Sequence, residues 1–496
     1  MQQHVADVAT ADAAVAKMTR EEEAKRKKKL WALGLLGFFA IISISTFVYN
    51  EYYIYLSVYL WFGMIYGMCL QYGRFCFSSA FRDLFAIKVP RMLVGIVIAT
   101  LLFGLVSAPI TAAGLSTFHA APVSSHAIIA GVFFGIGMVI AGGCASSSLY
   151  KTGEGNMNAL IVIFSLSLTQ ALFADVGGWA NNFVPEAWTQ SALEKGLPAS
   201  ITVTDGWVDQ YLAGYVWNKP AITYAELLGM SNASVAGSFV GNLFVGVLVP
   251  ASLLLALVYA LYWRKGYRKK QQKKGVDVSG LKGELAGYWS MITANKRTAV
   301  AGLILGVACA LHMLVIQGLR VKFGFKNAGT MLERIGWDFG LSVQGTVFDP
   351  GYWYVTTQEA QWVGWTLQKM GVENLDNLYF GFVNGIPNPA INPADWMSLA
   401  LIGGAAIIAL YHNEFKFKKP TWETAMWSAI GGAFMGIGSR LGLGCNVGAF
   451  FVRVANGDCS GWLFGLGMAG GAYLGVKFFN WWTERKLARE AEAMGL

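Results

Sequence analysis

The sequence predicts an all-α, polytopic integral membrane protein, and three observations carry that reading. Of its 496 residues, 55% are hydrophobic and only 14% are charged, against about a quarter charged in soluble proteins. The apolar residues are blocked into runs such as 35–49, 92–110 and 243–262, which approach or reach the ~20 residues a helix needs to cross a bilayer. A glycine-rich motif also occurs twice. Gly131-Val-Phe-Phe-Gly-Ile-Gly-Met-Val-Ile-Ala-Gly-Gly-Cys144 aligns without gaps on Gly432-Ala-Phe-Met-Gly-Ile-Gly-Ser-Arg-Leu-Gly-Leu-Gly-Cys445, at a constant offset of 301.

The elements follow in order, with about ten spans expected on length. Residues 1–29 are polar and charged, with no apolar stretch ahead of a small-residue cleavage site, so the first span itself is expected to direct insertion. Spans at 30–49, 54–72, 92–113, 126–144 and 157–175 make a first membrane repeat over 30–176. Between the second and third of these, Gly73–Asp83 is amphipathic and too short to cross, as a re-entrant broken helix would be. The polar segment 177–232 carries two lysines against five acids and reads as an outer loop. A connecting span at 235–262, within 233–262, leads into a basic linker, 263–297, with ten Lys/Arg against two acids from Arg264 to Arg297. Spans at 298–317, 395–412, 425–444 and 461–480 make a second repeat over 298–480, interrupted by a polar outer insertion at 318–391. A charged tail, 481–496, closes the chain.

Charge sets the expected orientation. The basic blocks 25–29, 74–91, 264–297 and 414–419 belong on the cytoplasmic side, which leaves the two long polar segments outside. The net charge of +9 is therefore topological, touching anionic lipid headgroups; no aromatic-basic module accompanies it, so no nucleic-acid partner is expected. In this orientation the first copy of the glycine motif runs outside to inside and the second inside to outside. That is the pattern of an inverted internal repeat, whose substrate site lies near the midplane where helices are interrupted.

Both copies end in Gly-Cys followed by small polar residues, Ala145–Ser148 in one and Asn446–Gly448 in the other. A helix that stops inside a membrane leaves backbone groups that need a lined cavity. Cys144, Cys445 and Cys76, the last in Gly73-Arg-Phe-Cys-Phe, are therefore the expected lining of a substrate path, together with Asn446. A single buried cysteine is often only a small hydrophobe; a thiol recurring after the same glycine frame is harder to explain by packing. Cys69 and Cys309, inside apolar spans without polar neighbours, read as packing residues, and Cys459 leans the same way. Arg440 lies within a span, five residues before Cys445, and an intramembrane charge is a functional candidate by default. Arg74 is the second expected cation on the path.

Soft thiols beside positive charge suit a sulfur-bearing anion. No Cys-x-x-Cys pair, metal-ligand spacing, nucleophile constellation or GxxxxGK[ST] loop is present in the sequence, so neither a cofactor, nor an enzyme active site, nor a built-in ATP motor is expected.

At these residues the chain resembles the YeeE/YedE sulfur-transport family of bacterial inner-membrane proteins. The matching stretches are Gly73-Arg-Phe-Cys-Phe with Phe81-Arg-Asp83, Gly142-Gly-Cys-Ala-Ser-Ser-Ser-Leu-Tyr-Lys-Thr-Gly-Glu-Gly-Asn156, and Gly442-Leu-Gly-Cys-Asn-Val-Gly-Ala-Phe-Phe451 with Asn456-Gly457 and Ser460-Gly-Trp462. The resemblance implies uptake of thiosulfate across the bacterial inner membrane by transient thiol contacts at Cys76, Cys144 and Cys445. It also implies a separate cytoplasmic sulfur-carrier protein as partner. Two alternatives stay open at this level: a selenium-compound transporter, and a membrane sulfurtransferase that holds sulfane sulfur as a cysteine persulfide.

Overall fold

The computed structural model describes residues 2–181, 190, 194, 218–219, 221–276, 278, 280–337, 351–353, 355–372 and 386–494. Its elements are α1 (Gln2–Tyr49), α2 (Ile54–Gly73), α3 (Phe77–Ile87), α4 (Arg91–Ala112), α5 (Ser125–Ile140), α6 (Ala145–Gly153) and α7 (Met157–Asn181). After the outer segment come α8 (Gly237–Gln272), α9 (Gly280–Ile292), α10 (Lys296–Phe323), α11 (Ala328–Arg334) and α12 (Val355–Lys369). The chain ends in α13 (Pro393–Tyr411), α14 (Trp422–Leu441), α15 (Asn446–Ala455) and α16 (Cys459–Met494). A two-residue antiparallel pairing of Val123–Ser124 with Asn218–Lys219 is the one sheet among the described residues.

Each of the ten expected spans falls on a helix. Among the described residues, seven helical stretches are long and apolar enough to cross a bilayer, with Met157–Leu172 and Asn446–Ala455 as shorter apolar helices. The protein is a polytopic membrane protein. α14 and α16 are long enough but less apolar, because glycine, serine and charge dilute them. Large apolar side chains such as Leu33, Ile41 and Leu253 are exposed; on a membrane helix that surface meets lipid, not water.

The repeat is visible in how the glycines pack. A Cβ added at Gly137 would lie 2.6 Å from the Gly431 carbonyl oxygen and 2.8 Å from Met435 N. At Gly438 it would lie 2.6 Å from Phe134 N and 2.7 Å from the Ala130 carbonyl oxygen. Every residue of one contact is the 301-offset partner of a residue in the other, and numbering rises along α5 as it falls along α14. The two helices are therefore antiparallel and meet across an internal two-fold axis, the reciprocal arrangement of a symmetric interface. Small residues at such crossings let backbones approach closely where lipid gives no hydrophobic drive to associate.

The same axis swaps partners between the halves. Gly131 and Gly135 of α5 pack on the α16 backbone at Phe464 and Met468, while Gly432 and Gly436 of α14 pack on the α7 backbone at Val162 and Leu166. In the outer layer, Gly63 and Gly67 of α2 face the Met397 and Leu401 carbonyls of α13, as Gly306 of α10 faces the Ala99 carbonyl of α4. α1 stands outside this scheme, with Phe39 lying on Gly403 of α13.

One face gathers most of the ion pairs. Lys28 meets Asn413, Arg74 meets Glu154 and Glu414, and Lys486 meets Glu423, so the N-terminal helix, the α6–α7 turn, the α13–α14 loop and the C-terminal tail share this basic face. The opposite face holds the start of α5 and the α15–α16 turn, where Ala121 N donates to Asp458 Oδ2 at 2.9 Å. Within 318–391, expected as an outer insertion, the first two turns of α12 are buried against the core. Their small polar run, Thr356-Thr-Gln-Glu-Ala-Gln361, reads as loop in sequence but finds partners across the helix seam, such as Asn392 Nδ2 donating to Gln361 Oε1 at 2.7 Å.

Candidate functional site

Three long helices stop short, and each is followed by a tight turn, a cysteine and a short helix. α2 ends at Gly73, and the chain turns at Arg74 in the left-handed region (φ 53°). Expected spans 126–144 and 425–444 end at Ile140 and Leu441 instead, with left-handed turns at Gly142 (φ 68°) and Leu443 (φ 51°). The next helix begins immediately after Cys76, Cys144 or Cys445, each in extended backbone at the N-cap. N-caps normally carry Ser, Thr, Asp or Asn; three thiols in this role are a departure from that preference at three related places.

The cap contacts are direct. Cys76 Sγ accepts from Ser79 N at 3.4 Å, and Cys445 Sγ accepts from Val447 N at 3.3 Å. Cys144 N donates to Ser147 Oγ at 2.8 Å, and its Sγ lies 3.4 Å from Ser147 Oγ and 3.5 Å from Ser146 Oγ. All three thiols are buried, at 1%, 0% and 1% exposure for Cys76, Cys144 and Cys445. Helix N-termini favour negative charge, because their first N–H groups are unpaired and the helix dipole points positive there.

Tertiary packing sorts the thiols into two groups. Cys76 and Cys144 lie within electrostatic reach of each other, in the half of the molecule nearer the basic face, where the Lys151 charge also bears on Cys76. Cys445 sits in the other half, where backbone N–H groups of Val447, Gly448 and Thr356 face its sulfur. Between the groups, the Phe77 ring meets Phe450 and Phe451 edge-on, at 6.1 and 6.4 Å.

The flanking cations are related as well. Lys151 Nζ donates to the Gly142 carbonyl at 2.9 Å, and Arg453 Nη2 donates to the Leu443 carbonyl at 3.1 Å; the two acceptors are repeat partners. Arg453 also pairs with buried Asp458 at 3.8 Å. An open cavity lies at each face. One of about 460 Å³ reaches His119 and Asn456 at the opposite face, and one of about 380 Å³ reaches Gly142 and Asn156 at the basic face.

The expected site residues are thus distributed as follows. Arg440 is completely buried as the penultimate residue of α14. Asn446, the first residue of α15, is also completely buried, and neither its Oδ1 nor its Nδ2 has a hydrogen-bond partner in the protein. Buried amide groups are nearly always paired, so this one is a candidate contact for a polar ligand. Arg74 is not with them. It is half-exposed at the basic face, donating to Glu154 Oε1 at 2.7 Å and Glu414 Oε2 at 2.8 Å. Burial holds the Glu154 carboxyl above its ordinary value; burial also opposes the Glu414 charge, but Gln71, Arg74 and Arg297 together hold that carboxyl low. Arg74→Ala is expected to lower stability by about 1 kcal/mol, the scale of a half-exposed pair, read as the melting temperature in detergent, with Arg74→Lys recovering part of it.

Two residues escaped the sequence reading. Glu359 on α12 and Asp395 on α13 are 1% and 4% exposed. The available signal was Asp395 itself, an acid at the start of an apolar span. Cys309 also has a polar neighbour after all, since its thiol lies within hydrogen-bond reach of the buried Tyr66 hydroxyl. No group of three or more His, Cys, Asp or Glu is arranged to hold a metal among the described residues.

A family model described as sulphur transport matches residues 72–474, from the end of α2 into the first half of α16. The chain is similar to the thiosulfate transporter TsuA of Spirochaeta thermophila, 27% identical over 406 residues, covering 81% of this chain and 92% of that protein. It is similar to the thiosulfate transporter TsuA of Escherichia coli strain K12, 23% identical over 403 residues, covering 81% of this chain and 88% of that one. A shorter match, 32% identical over 128 residues, joins it to the probable transporter YedE of the same bacterium, over 26% of this chain and 32% of that one.

Proposed function

The chain belongs to the sulphur transport family, and on that footing we propose that it imports thiosulfate across the bacterial inner membrane by way of Cys445, Cys76 and Cys144. The observation that carries the proposal is the placement of three buried thiols at the N-termini of short intramembrane helices. Basic loops stay in the cytoplasm, so the basic face is the inner one, with the amino terminus inside. The anion then comes in at the face of Asn456 and His119, meets Cys445 with Asn446 and Arg440, passes the Phe77–Phe450–Phe451 contact, and meets Cys76 with Cys144. It leaves past Lys151 and Arg74.

The physical logic is that of conduction through weak sequential sites, each strong enough to hold an ion and weak enough to release it. Helix N-termini and Arg440 offset the negative charge. Thiols supply polarizable S–H donors that cling to sulfur less firmly than a cation would. The aromatic contact between the two thiol groups keeps water from forming a continuous file, as hydrophobic constrictions do. Inside, a sulfur-carrier protein would take up the product, a role suggested by resemblance.

The test is uptake of sulfur-35 thiosulfate into proteoliposomes holding the purified chain. Saturable uptake that excess sulfate does not compete away is expected; uptake no greater than in empty liposomes would refute the reading. Cys76 lies near Cys144 and the Lys151 charge, the setting that the persulfide alternative would use. There the thiolate attacks the sulfane sulfur, the S–S bond of thiosulfate breaks, and sulfite leaves with the electron pair. Intact-mass spectrometry after exposure to thiosulfate separates the two, since transport alone leaves the protein mass unchanged.

A further inference from the structure

Glu359 and Asp395 are ionisable groups buried in the protein interior that an anion path does not need, and buried acids are costly unless they are paired or protonated. Ser398 Oγ donates to Glu359 Oε1 at 3.0 Å. Neither oxygen of Asp395 accepts a hydrogen bond. The two carboxyls lie within electrostatic reach of each other, and Glu359 bears in turn on Cys445.

The groups facing the pair are few. From α13 come Asp395 and the Ser398 hydroxyl; from the turn before α15 comes the Cys445 thiol; among the described residues, α6 and α7 bring no titratable group to bear on Glu359. The rest of the α12–α13 seam is neutral, with Gln361 bonded to Asn392 and Gln358 Nε2 against Met397 Sδ. No cation bears on either carboxyl among the described residues. Two carboxylates sharing an apolar volume cannot both stay ionised, and the pair relieves the repulsion by binding a proton. The helix dipole at the first turn of α13 favours charge on Asp395 and the Ser398 hydroxyl favours it on Glu359, so the two carboxyls share the proton as a coupled pair.

A second observation ties the pair to a ligand. Thr356 Oγ1, fully buried one turn before Glu359, has no hydrogen-bond partner, and neither amide atom of Asn446 has one. Thr356 N and Asn446 both adjoin Cys445. The carboxyl pair therefore borders a cluster of unpartnered buried polar atoms, Thr356 Oγ1 and the Asn446 amide, beside Cys445.

We propose that Glu359, assisted by Asp395, binds a proton from the outer solution when an anion occupies the Cys445 site, and releases it inside, so that anion import is proton-coupled. This rests on the thiosulfate reading above. The proton adds to the carboxyl pair and leaves to inner water, and no bond of the anion breaks. A dianion carried with one proton moves one net negative charge instead of two. Against an inside-negative membrane potential, each charge removed from the transfer relieves a roughly 50-fold opposition per 100 mV.

The experiment loads proteoliposomes with a trapped pH dye, clamps the membrane potential, and measures sulfur-35 thiosulfate uptake with and without an outside-acid gradient. The gradient is expected to raise wild-type initial uptake severalfold, and the lumen to acidify with added thiosulfate but not with sulfate. Glu359→Gln should bring the with/without ratio close to one, and Glu359→Asp should restore part of it. Equal wild-type uptake with and without the gradient, with no lumen acidification, overturns the coupling, as does an unchanged ratio in Glu359→Gln. If Glu359→Gln does not insert, wild-type acidification decides alone. Absence of thiosulfate uptake under every gradient overturns the transport reading itself, whereas uptake without proton movement overturns only the coupling.

Discussion

Cys144→Ser and Cys445→Ser each lower thiosulfate uptake by at least about tenfold while the protein still inserts and stays monodisperse, because losing one S–H contact of about 1.4 kcal/mol is a tenfold change. The structure makes the substitution unusually clean. Both cysteines are N-caps, and serine is a better N-cap than a thiol, so neither short helix should melt. The hydroxyl replaces a polarizable donor with a hard one in the same place, and what changes is the contact to a sulfur anion. Sulfur-35 uptake per unit of reconstituted protein is the measurement, with size-exclusion profiles as the folding control. Serine variants that keep uptake within twofold of wild type would rule out the thiol relay.

Gly137→Val or Gly438→Val is expected to cost about 3 kcal/mol or more, the upper range for overpacking, and to abolish a monodisperse protein. At both positions even the first added carbon would lie within 2.8 Å of two backbone atoms of the facing helix. Backbone cannot rotate away as a side chain can, so α5 and α14 must separate along the two-fold axis. The control is built into α1: Gly34 and Gly37 have nothing within 4 Å of an added Cβ, so alanine there should be neutral or stabilising by up to about 1 kcal/mol each, on helix propensity. Thermal unfolding of detergent-solubilised variants distinguishes the two sets. Equal tolerance at both would mean that the reciprocal contact does not hold the halves together.

Much of this molecule was legible in advance because the relevant signals are local. Hydrophobic runs of bilayer length put each expected span on a helix, seven of the described stretches being long and apolar enough to cross, since a helix in lipid must satisfy its own backbone. The glycine frame ending at Cys144 and Cys445 announced the repeat, since a close helix crossing leaves small residues at fixed spacing. Gly73-Arg-Phe-Cys76 announced a break, and the structure puts a left-handed turn at Arg74.

The expected site was legible only as residue types. Buried Arg440 and Asn446 were found because a charge or an amide inside an apolar run stands out. Arg74 stood out because it flanks Cys76, but its place at the basic face is set by bonds to Glu154 and to Glu414, 340 residues away in the chain. No local pattern announces a partner so distant. Glu359 was missed for the converse reason. A polar stretch is loop-like in sequence, and only the seam against α13 turns Thr356–Gln361 into an interior helix face.

By itself, then, the sequence determined the membrane class, the spans, the inverted repeat and the thiols that interrupt it, because each depends on the chemistry of a few neighbouring residues. Tertiary structure alone decided that Cys76 joins Cys144 and not Cys445, that Lys151 and Arg453 bond repeat-related carbonyls, and that two acids meet near Cys445. Those outcomes depend on which helices can approach to backbone contact, and that is settled by glycine-mediated packing between segments far apart in the chain.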